Sequence, residues 1–437
     1  MKITVIGAGQ GGLRAAAVLA CRGMDVTVYE KNSRDALGIN WFDGVETKLF
    51  TDLDLDVPVD SFKGFPVSFI APFSEKKLYL RCPEDGMDWS VNRRSFSSQL
   101  VKAAEEGGAK IHFDTAVTSL ICDKDRVKGV VVDGNEIFSD LVIDSSGVFS
   151  KFRASLPTRA HMTPIPEKED VFNVYRGIYS QTPDFPVLPD DEKFKMHLKY
   201  KGKNSISWCG VEPSGELNVL CGMIGELNAD DFKELFGSLV SENPIIGELK
   251  DGRSAYASIP VRSPLSVFVF PGYTAIGDAA FMTIPIMGNG IANSIRAGQM
   301  LADTIIGDDS VSIETLWKYQ AEYYRKIGAV CCLLDWCKRG LLACDNSELR
   351  RFMESGIVSD GEIYAVTSGR GLWLSPAQWI DKIRKLILSR KLIGPLAGYA
   401  AKGLKAMLTA LSVPAQYDSI KVMRWQYRIE EAMKRPQ

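Results

Sequence analysis

Ile3-Thr4-Val5-Ile6-Gly7-Ala8-Gly9-Gln10-Gly11-Gly12-Leu13 decides how this chain is read. Residues 3–6 are a short apolar run of the kind that fills a buried parallel strand. Gly7, Gly9 and Gly12 keep the G-x-G-x-x-G spacing. The first permits a tight turn, the second lets backbone approach a pyrophosphate, and the third lets the next helix pack close to the strand. That helix carries Leu13, Ala16, Ala17, Leu19 and Ala20 on its apolar face. Cys21-Arg22-Gly23 closes it, with Gly23 at the C′ position. Val26–Tyr29 reads as the second strand, ending at Glu30, eighteen residues after Gly12. A carboxylate there can accept hydrogen bonds from both ribose hydroxyls and would repel a 2′-phosphate, which favours FAD or NAD. Ala8, Gln10, Gly11 and Lys31 complete the stretch expected around the nucleotide.

Two distant segments extend that site. Val91-Asn92-Arg93 precedes a helical pattern through Leu100, Val101 and Ala104, and places Arg93 where it can meet a pyrophosphate or ribose. Gly277-Asp278-Ala279-Ala280 follows the strand-like Tyr273–Ile276, and Asp278 at such a turn can bond ribityl hydroxyls. The next helix is predicted to begin near Gly288-Asn289-Gly290-Ile291. Its amide dipole would favour the negative charge that a flavin N1–C2=O edge gains on reduction. Leu141–Asp144 reads as a buried strand running into the small turn Ser145-Ser146-Gly147, and Val117, in the strand 116–122, joins the cofactor-binding set. Together these segments predict bound FAD.

The rest of the pattern sets the domain organisation. With 437 residues, 46% hydrophobic and 24% charged, the chain is long enough for two or three cores. Strand-turn-helix patterns predict a discontinuous FAD-binding domain from 1–55, 90–157 and 268–308. Segments 56–89 and 158–267, rich in proline and alternating residues, are expected to form an antiparallel-sheet substrate domain, and 309–437 a helical C-terminal region. The expected class is therefore α/β, with a Rossmann-like domain beside that sheet.

These motifs resemble the flavoproteins that include geranylgeranyl reductases and aromatic-ring hydroxylases. Val91-Asn92-Arg93 with Phe96 and Leu100 is similar to the reductases' V-D-R-x-x-F-x-x-x-L. Asp144-Ser145-Ser146-Gly147 with Ser150 and Arg153 is similar to their D-A-S-G turn, and Gly277–Gly290 to G-D-A-A…P-x-x-G-x-G. Phe281 stands where ring hydroxylases carry His, and Ser146-Gly147 where they carry Asp-Gly, which tilts the resemblance toward the reductases. Their Y-x-W-x-F-P-K segment survives only as Ile206-Ser207-Trp208, with Gly210, Val211 and Glu212 after it. Asn40-Trp41-Phe42 replaces their Cys-Gly segment.

The resemblance implies an FAD-dependent oxidoreductase that reduces carbon–carbon double bonds of an apolar, isoprenoid-type substrate. A flavin monooxygenase and a non-redox isomerase or cyclase are the alternatives. The reductant would be NAD(P)H or a ferredoxin-like electron-carrier protein. Trp208 is either a substrate-facing ring or core, and no catalytic residue is singled out.

Other signals narrow the setting. A formal net charge of −2 gives no reason to expect nucleic acid. The first strand starts too early for a signal peptide, and the nine cysteines lack paired spacing, so a cytoplasmic protein is expected. Cys331, Cys332, Cys337 and Cys344 fall in an apolar helical stretch without metal-ligand spacing and are expected to pack in a core, with no metal. From about Leu372 the chain is basic: Lys382, Arg384, Lys385, Arg390, Lys391, Lys402 and Lys405 interleave with Ile383, Leu386, Ile387 and Leu392. Two readings stand, a helix capping the substrate domain and a peripheral membrane contact.

Overall fold

The computed structural model describes residues 1–64, 67–74, 77–80, 88–162, 165–189, 192–360, 362 and 390–435. The opening strand, Lys2–Ile6, lies inside a six-stranded sheet. Across that sheet the order is Val269–Phe270, Tyr273–Ala275, Leu141–Asp144, Lys2–Ile6, Asp25–Tyr29 and Lys110–His112. The last five run parallel, and Val269–Phe270 closes the edge as a hairpin. The register places Ile6 opposite both Tyr29 and Asp144, and Asp144 opposite Ala275. Four loops therefore leave the sheet at one end: the glycine turn, Glu30, Ser145–Gly147 and Gly277–Ala280. This is the carboxyl end of a doubly wound sheet, where such folds bind ligands.

Helix Gln10–Cys21 packs against Arg93–Glu106 and Ile291–Asp308. It ends as expected, with Gly23 at φ +82° returning its N–H to Ala20 O. Gly11 and Gly298 mark the crossing with Ile291–Asp308. A Cβ on Gly298 would stand 2.2 Å from Gly11 O.

A second, seven-stranded sheet runs in the order Ile246–Pro260, Val171–Gln181, Leu217–Ile224, Ser205–Val211, Phe194–Leu198, Val67–Ile70 and Lys77–Leu80. This is the expected antiparallel sheet, with one parallel pair in it, Phe194–Leu198 with Val67–Ile70. Val67–Ile70 arrives from a separate, earlier excursion of the chain, so no hairpin joins it to Phe194–Leu198. Sequence patterning does not single out the two longest strands. Val171–Gln181 is buried on both faces through its middle and shows no alternation. Ile246–Pro260 is polar and largely exposed in its first half. A small sheet of Phe42–Val45, Trp89–Asn92 and Phe62–Lys63 abuts the second sheet through Arg176, which donates to Phe42 O and Asp43.

The C-terminal region is helical, with Ile313–Tyr323, Ala329–Ala343, Asn346–Glu354, Arg390–Leu411 and Ser419–Met433. In its core Trp425 meets Trp317 and Tyr324 edge-on, and Tyr324 stacks on Phe268 of the first sheet's approach. Cys331, Cys332 and Cys344 are buried in this region and Cys337 is half-buried. Lys382, Ile383, Arg384, Lys385, Leu386 and Ile387 of the basic segment lie outside the described residues.

Candidate active site

The loops at the carboxyl end of the parallel sheet open into a cavity of about 640 Å³. Glu30, only 6% exposed, organises its nucleotide end. Its Oε2 accepts from Ala8 N at 2.8 Å, and its Oε1 from Asn32 N and Nδ2 at 2.8 and 2.7 Å. Gly7 makes the turn at φ +84° and donates to Tyr29 O. Gly9 passes so close to Ser145 that a Cβ would meet Ser145 Oγ at 2.3 Å.

Arg93 enters from another direction. Asn92 caps its helix, accepting from Arg94 N at 3.0 Å and Ser95 N at 3.2 Å, while Arg93 N donates to Trp41 O. The Arg93 side chain lies with Nε 3.4 Å from Asp43 Oδ2 and close enough to Asp278 to favour its ionised form. Burial acts more strongly on Asp278 and raises its carboxyl above the ordinary range. A Cβ on Gly290 would stand 3.3 Å from Asp278 Oδ1, so the Gly277–Ala280 turn and the start of Ile291–Asp308 converge. That helix has Gly290 at its N-cap and no side-chain cap.

The segment Asp144–Arg153 is scaffold for these loops. Asp144 is fully buried and accepts from Ser146 N and Oγ, Ser150 Oγ and Tyr273 OH. Arg153, also buried, donates to Ala279 O and Val148 O, and its guanidinium lies 4.7 Å from the Phe281 ring. One arginine thereby ties the Gly277–Ala280 turn to the Ser145–Gly147 turn.

Of the sequence-predicted residues, the cavity is lined by Ala8, Gly9, Gln10, Arg93, Gly277, Asp278, Gly288, Asn289, Gly290, Ile291 and Trp208. Gly7, Gly11, Gly12 and Glu30 stand behind the wall as turn, packing and anchoring residues. Lys31 is exposed beside Glu30. Val117 is buried at the start of its strand, two residues from Thr115, whose N–H donates to Glu30 O.

Polar atoms left without partners agree with a cofactor in this cleft. Gln10 Nε2 and Asn293 Nδ2 are buried without a hydrogen bond, and both residues line the cavity. Such donors are costly unless a ligand accepts from them. With the glycine approach, the Glu30 anchor and the open helix terminus, they fit a dinucleotide.

The other half of the cavity is apolar, walled by Phe69, Phe172, Met196, Ile206, Leu220 and Ile259. A polar network that sequence reading missed is set into it. Arg176 pairs with Asp43 and donates from Nε to Asn218 Oδ1 at 2.8 Å. Trp208 Nε1 donates to the same oxygen at 3.1 Å, and Asn218 Nδ2 donates to Glu212 Oε1 at 2.7 Å. The Arg176 guanidinium is 4.6 Å from the Trp41 ring and 5.7 Å from Trp208. Burial would raise Asp43, but Arg176 and Arg93 outweigh it and hold this carboxyl below its usual range. Burial pushes Glu212 up, only partly opposed by the Asn218 hydrogen bond and Arg176. Besides Trp208, the sequence signal for this network is a charged residue, Arg176, inside the apolar run Val171–Gln181.

The family described as an NAD(P)-binding Rossmann-like domain matches residues 5–69. A digeranylgeranylglycerophospholipid reductase of Sulfolobus acidocaldarius is 24% identical over 406 residues, covering 88% of this chain and 86% of that protein. A second protein of that description, from Methanopyrus kandleri, is 22% identical, covering 89% of this chain and 96% of its own. Among solved structures, a geranylgeranyl bacteriochlorophyll reductase-like protein of Thermoplasma acidophilum superposes with a TM-score of 0.74. It shares 18% identity and covers 91% of this chain and 98% of its own. A flavin-dependent brominase superposes with a TM-score of 0.64 at 17% identity, covering 89% and 99%. The reductase-like resemblance drawn from short motifs thus extends along most of the chain, and the fold is that of the FAD-dependent reductases and hydroxylases.

Proposed function

We propose that this chain is an FAD-dependent oxidoreductase that reduces carbon–carbon double bonds of an apolar, isoprenoid-type substrate. The observation that carries the reading is one cavity with two chemistries: a dinucleotide cleft with orphaned donors, opening directly onto an apolar chamber. The names of the curated relatives agree with it.

When bound, FAD supplies the hydride. The chain's own residues would do the rest. Gly7–Gly12 and Glu30 would seat the adenosine and pyrophosphate, Arg93 would neutralise phosphate or ribose oxygens, and Asp278 would hold ribityl hydroxyls. The open amides at Gly290–Ile291 would favour negative charge at the flavin edge. Phe69, Phe172, Ile206 and Leu220 would exclude water and align an extended hydrocarbon. Saturating the double bond also needs a proton. Glu212, facing the chamber, keeps its proton to higher pH than an exposed glutamate and would be the group placed to supply one. NAD(P)H or an electron-carrier protein would return electrons to the flavin.

Anaerobic single turnover tests this reading. Chemically reduced protein mixed with a polyprenyl lipid should regain oxidised-flavin absorbance as a product two hydrogens heavier per double bond forms. Reoxidation only on admitting oxygen, with a hydroxylated product, would replace it with a monooxygenase. Product formation without electron consumption would replace it with an isomerase or cyclase.

A further inference from the structure

We propose that the paired C-terminal helices Arg390–Leu411 and Ser419–Met433 form a docking face for an anionic lipid bilayer. This goes beyond the redox reading and does not depend on it.

The first helix is apolar on two opposite faces. Its inner face is locked: Gly403 packs against Leu333 and Trp336, Gly340 of the neighbouring helix packs against Leu396 and Tyr399, and Ala406 and Ala410 are fully buried. The outer face carries Ala397, Ala401, Leu404, Leu408 and Leu411, all exposed, at the three- and four-residue spacing of one stripe. The second helix repeats the arrangement. Val422, Trp425 and Ile429 are buried, and Trp425 Nε1 donates to Thr409 O of the first helix. Ile420, Met423 and Tyr427 point outward at the same spacing. Leu404, Leu408, Leu411, Ile420, Met423 and Tyr427 are between 42% and 66% exposed. A helix apolar all round needs an apolar partner on each side. Among the described residues the protein supplies only one.

Charge identifies the other partner. From Arg390 to Tyr417 the chain holds four lysines and arginines and no aspartate or glutamate. Lys405, Lys421, Arg424 and Arg428 are exposed beside the two stripes. Leucines at the centre, a tyrosine with a polar tip, and basic flanks are the pattern of helices that lie in the interface of negatively charged membranes. No helix among the described residues is long and apolar enough to cross a bilayer, so the contact is a lateral one. A second copy of this chain would bring the same positive charge to the face and be repelled by it.

The test uses the full-length protein with its flavin and vesicles of phosphatidylcholine, with or without phosphatidylglycerol. The protein should sediment with the anionic vesicles, less so with neutral ones, and less as salt rises. Leu404→Glu and Leu408→Glu, both on exposed positions, should each weaken vesicle binding about tenfold or more while leaving flavin content unchanged. Met423→Glu, on the other helix, should act in the same direction. Lys405→Gln with Lys421→Gln should reduce the preference for anionic vesicles. Failure to sediment, or equal sedimentation by the glutamate variants, would overturn the proposal. So would a dimer in light scattering that these variants disperse, which would assign the face to a second copy. Flavin absorbance of the same samples reports separately on the redox reading.

Discussion

Glu30 holds two pieces of backbone at once. It fixes the glycine loop through Ala8 N and the following strand end through Asn32. Glutamine in its place offers one acceptor and one donor to a site made of N–H donors. Glu30→Gln should weaken FAD binding about tenfold to a hundredfold, the scale of losing a charge-assisted hydrogen bond, as read by flavin titration of the apoprotein. Glu212 gives a prediction of a different kind. Because burial raises its pKa in the folded state, stability is fully present below the unfolded glutamate pKa of about 4 and is lost as pH rises through the folded value. Glu212→Gln keeps the oxygen that accepts from Asn218 and removes that loss. The variant should melt above the parent at neutral and alkaline pH, with the gap closing in acid. Equal gaps at every pH would contradict burial as the cause. Glu30 is legible in the sequence because its role depends on spacing within one β-α-β unit. Glu212 is not, because the network of contacts that includes it passes through Arg176 and Asp43, which are 133 residues apart.

Elements are legible where a local rule governs them. The glycine at a helix end, the Asn-Arg helix start and the alternation in Ser205–Val211 predict what the structure contains. The rule fails for Val171–Gln181, which is buried on both faces, and for the parallel pairing of Val67–Ile70, which depends on a partner far along the chain. Two element-level outcomes follow. Asn92→Ala removes the cap that sets Arg93 and should cost about 1 kcal/mol in chemical unfolding. Where Gln10–Cys21 crosses Ile291–Asp308, Gly298→Ala would press a methyl onto the Gly11 carbonyl. It should destabilise by about 1–3 kcal/mol, while Gly307→Ala in the same helix, with open space at its Cβ, should not.

At the scale of the whole molecule, three stretches of chain separated by other structure supply one sheet, and their loops meet at its carboxyl end. The sequence motifs announce that convergence because each loop keeps a fixed chemical role, whether glycine approach, phosphate charge or ribityl acceptor. The apolar chamber has no such announcement. Its walls come from many strands, each contributing one or two ordinary hydrophobic residues. Trp208 cannot be divided between core and substrate face from sequence; in the fold it lines the chamber and bonds Asn218. The reading that joins the two halves is that a dinucleotide redox centre serves a hydrocarbon held beside it. The most direct measurement is the visible spectrum of the purified protein, followed by anaerobic reduction and mixing with a polyprenyl lipid. Flavin bands that bleach on reduction and return only with the lipid, in step with its hydrogenation, are the predicted result. Protein that stays colourless after incubation with FAD would contradict the account at its base.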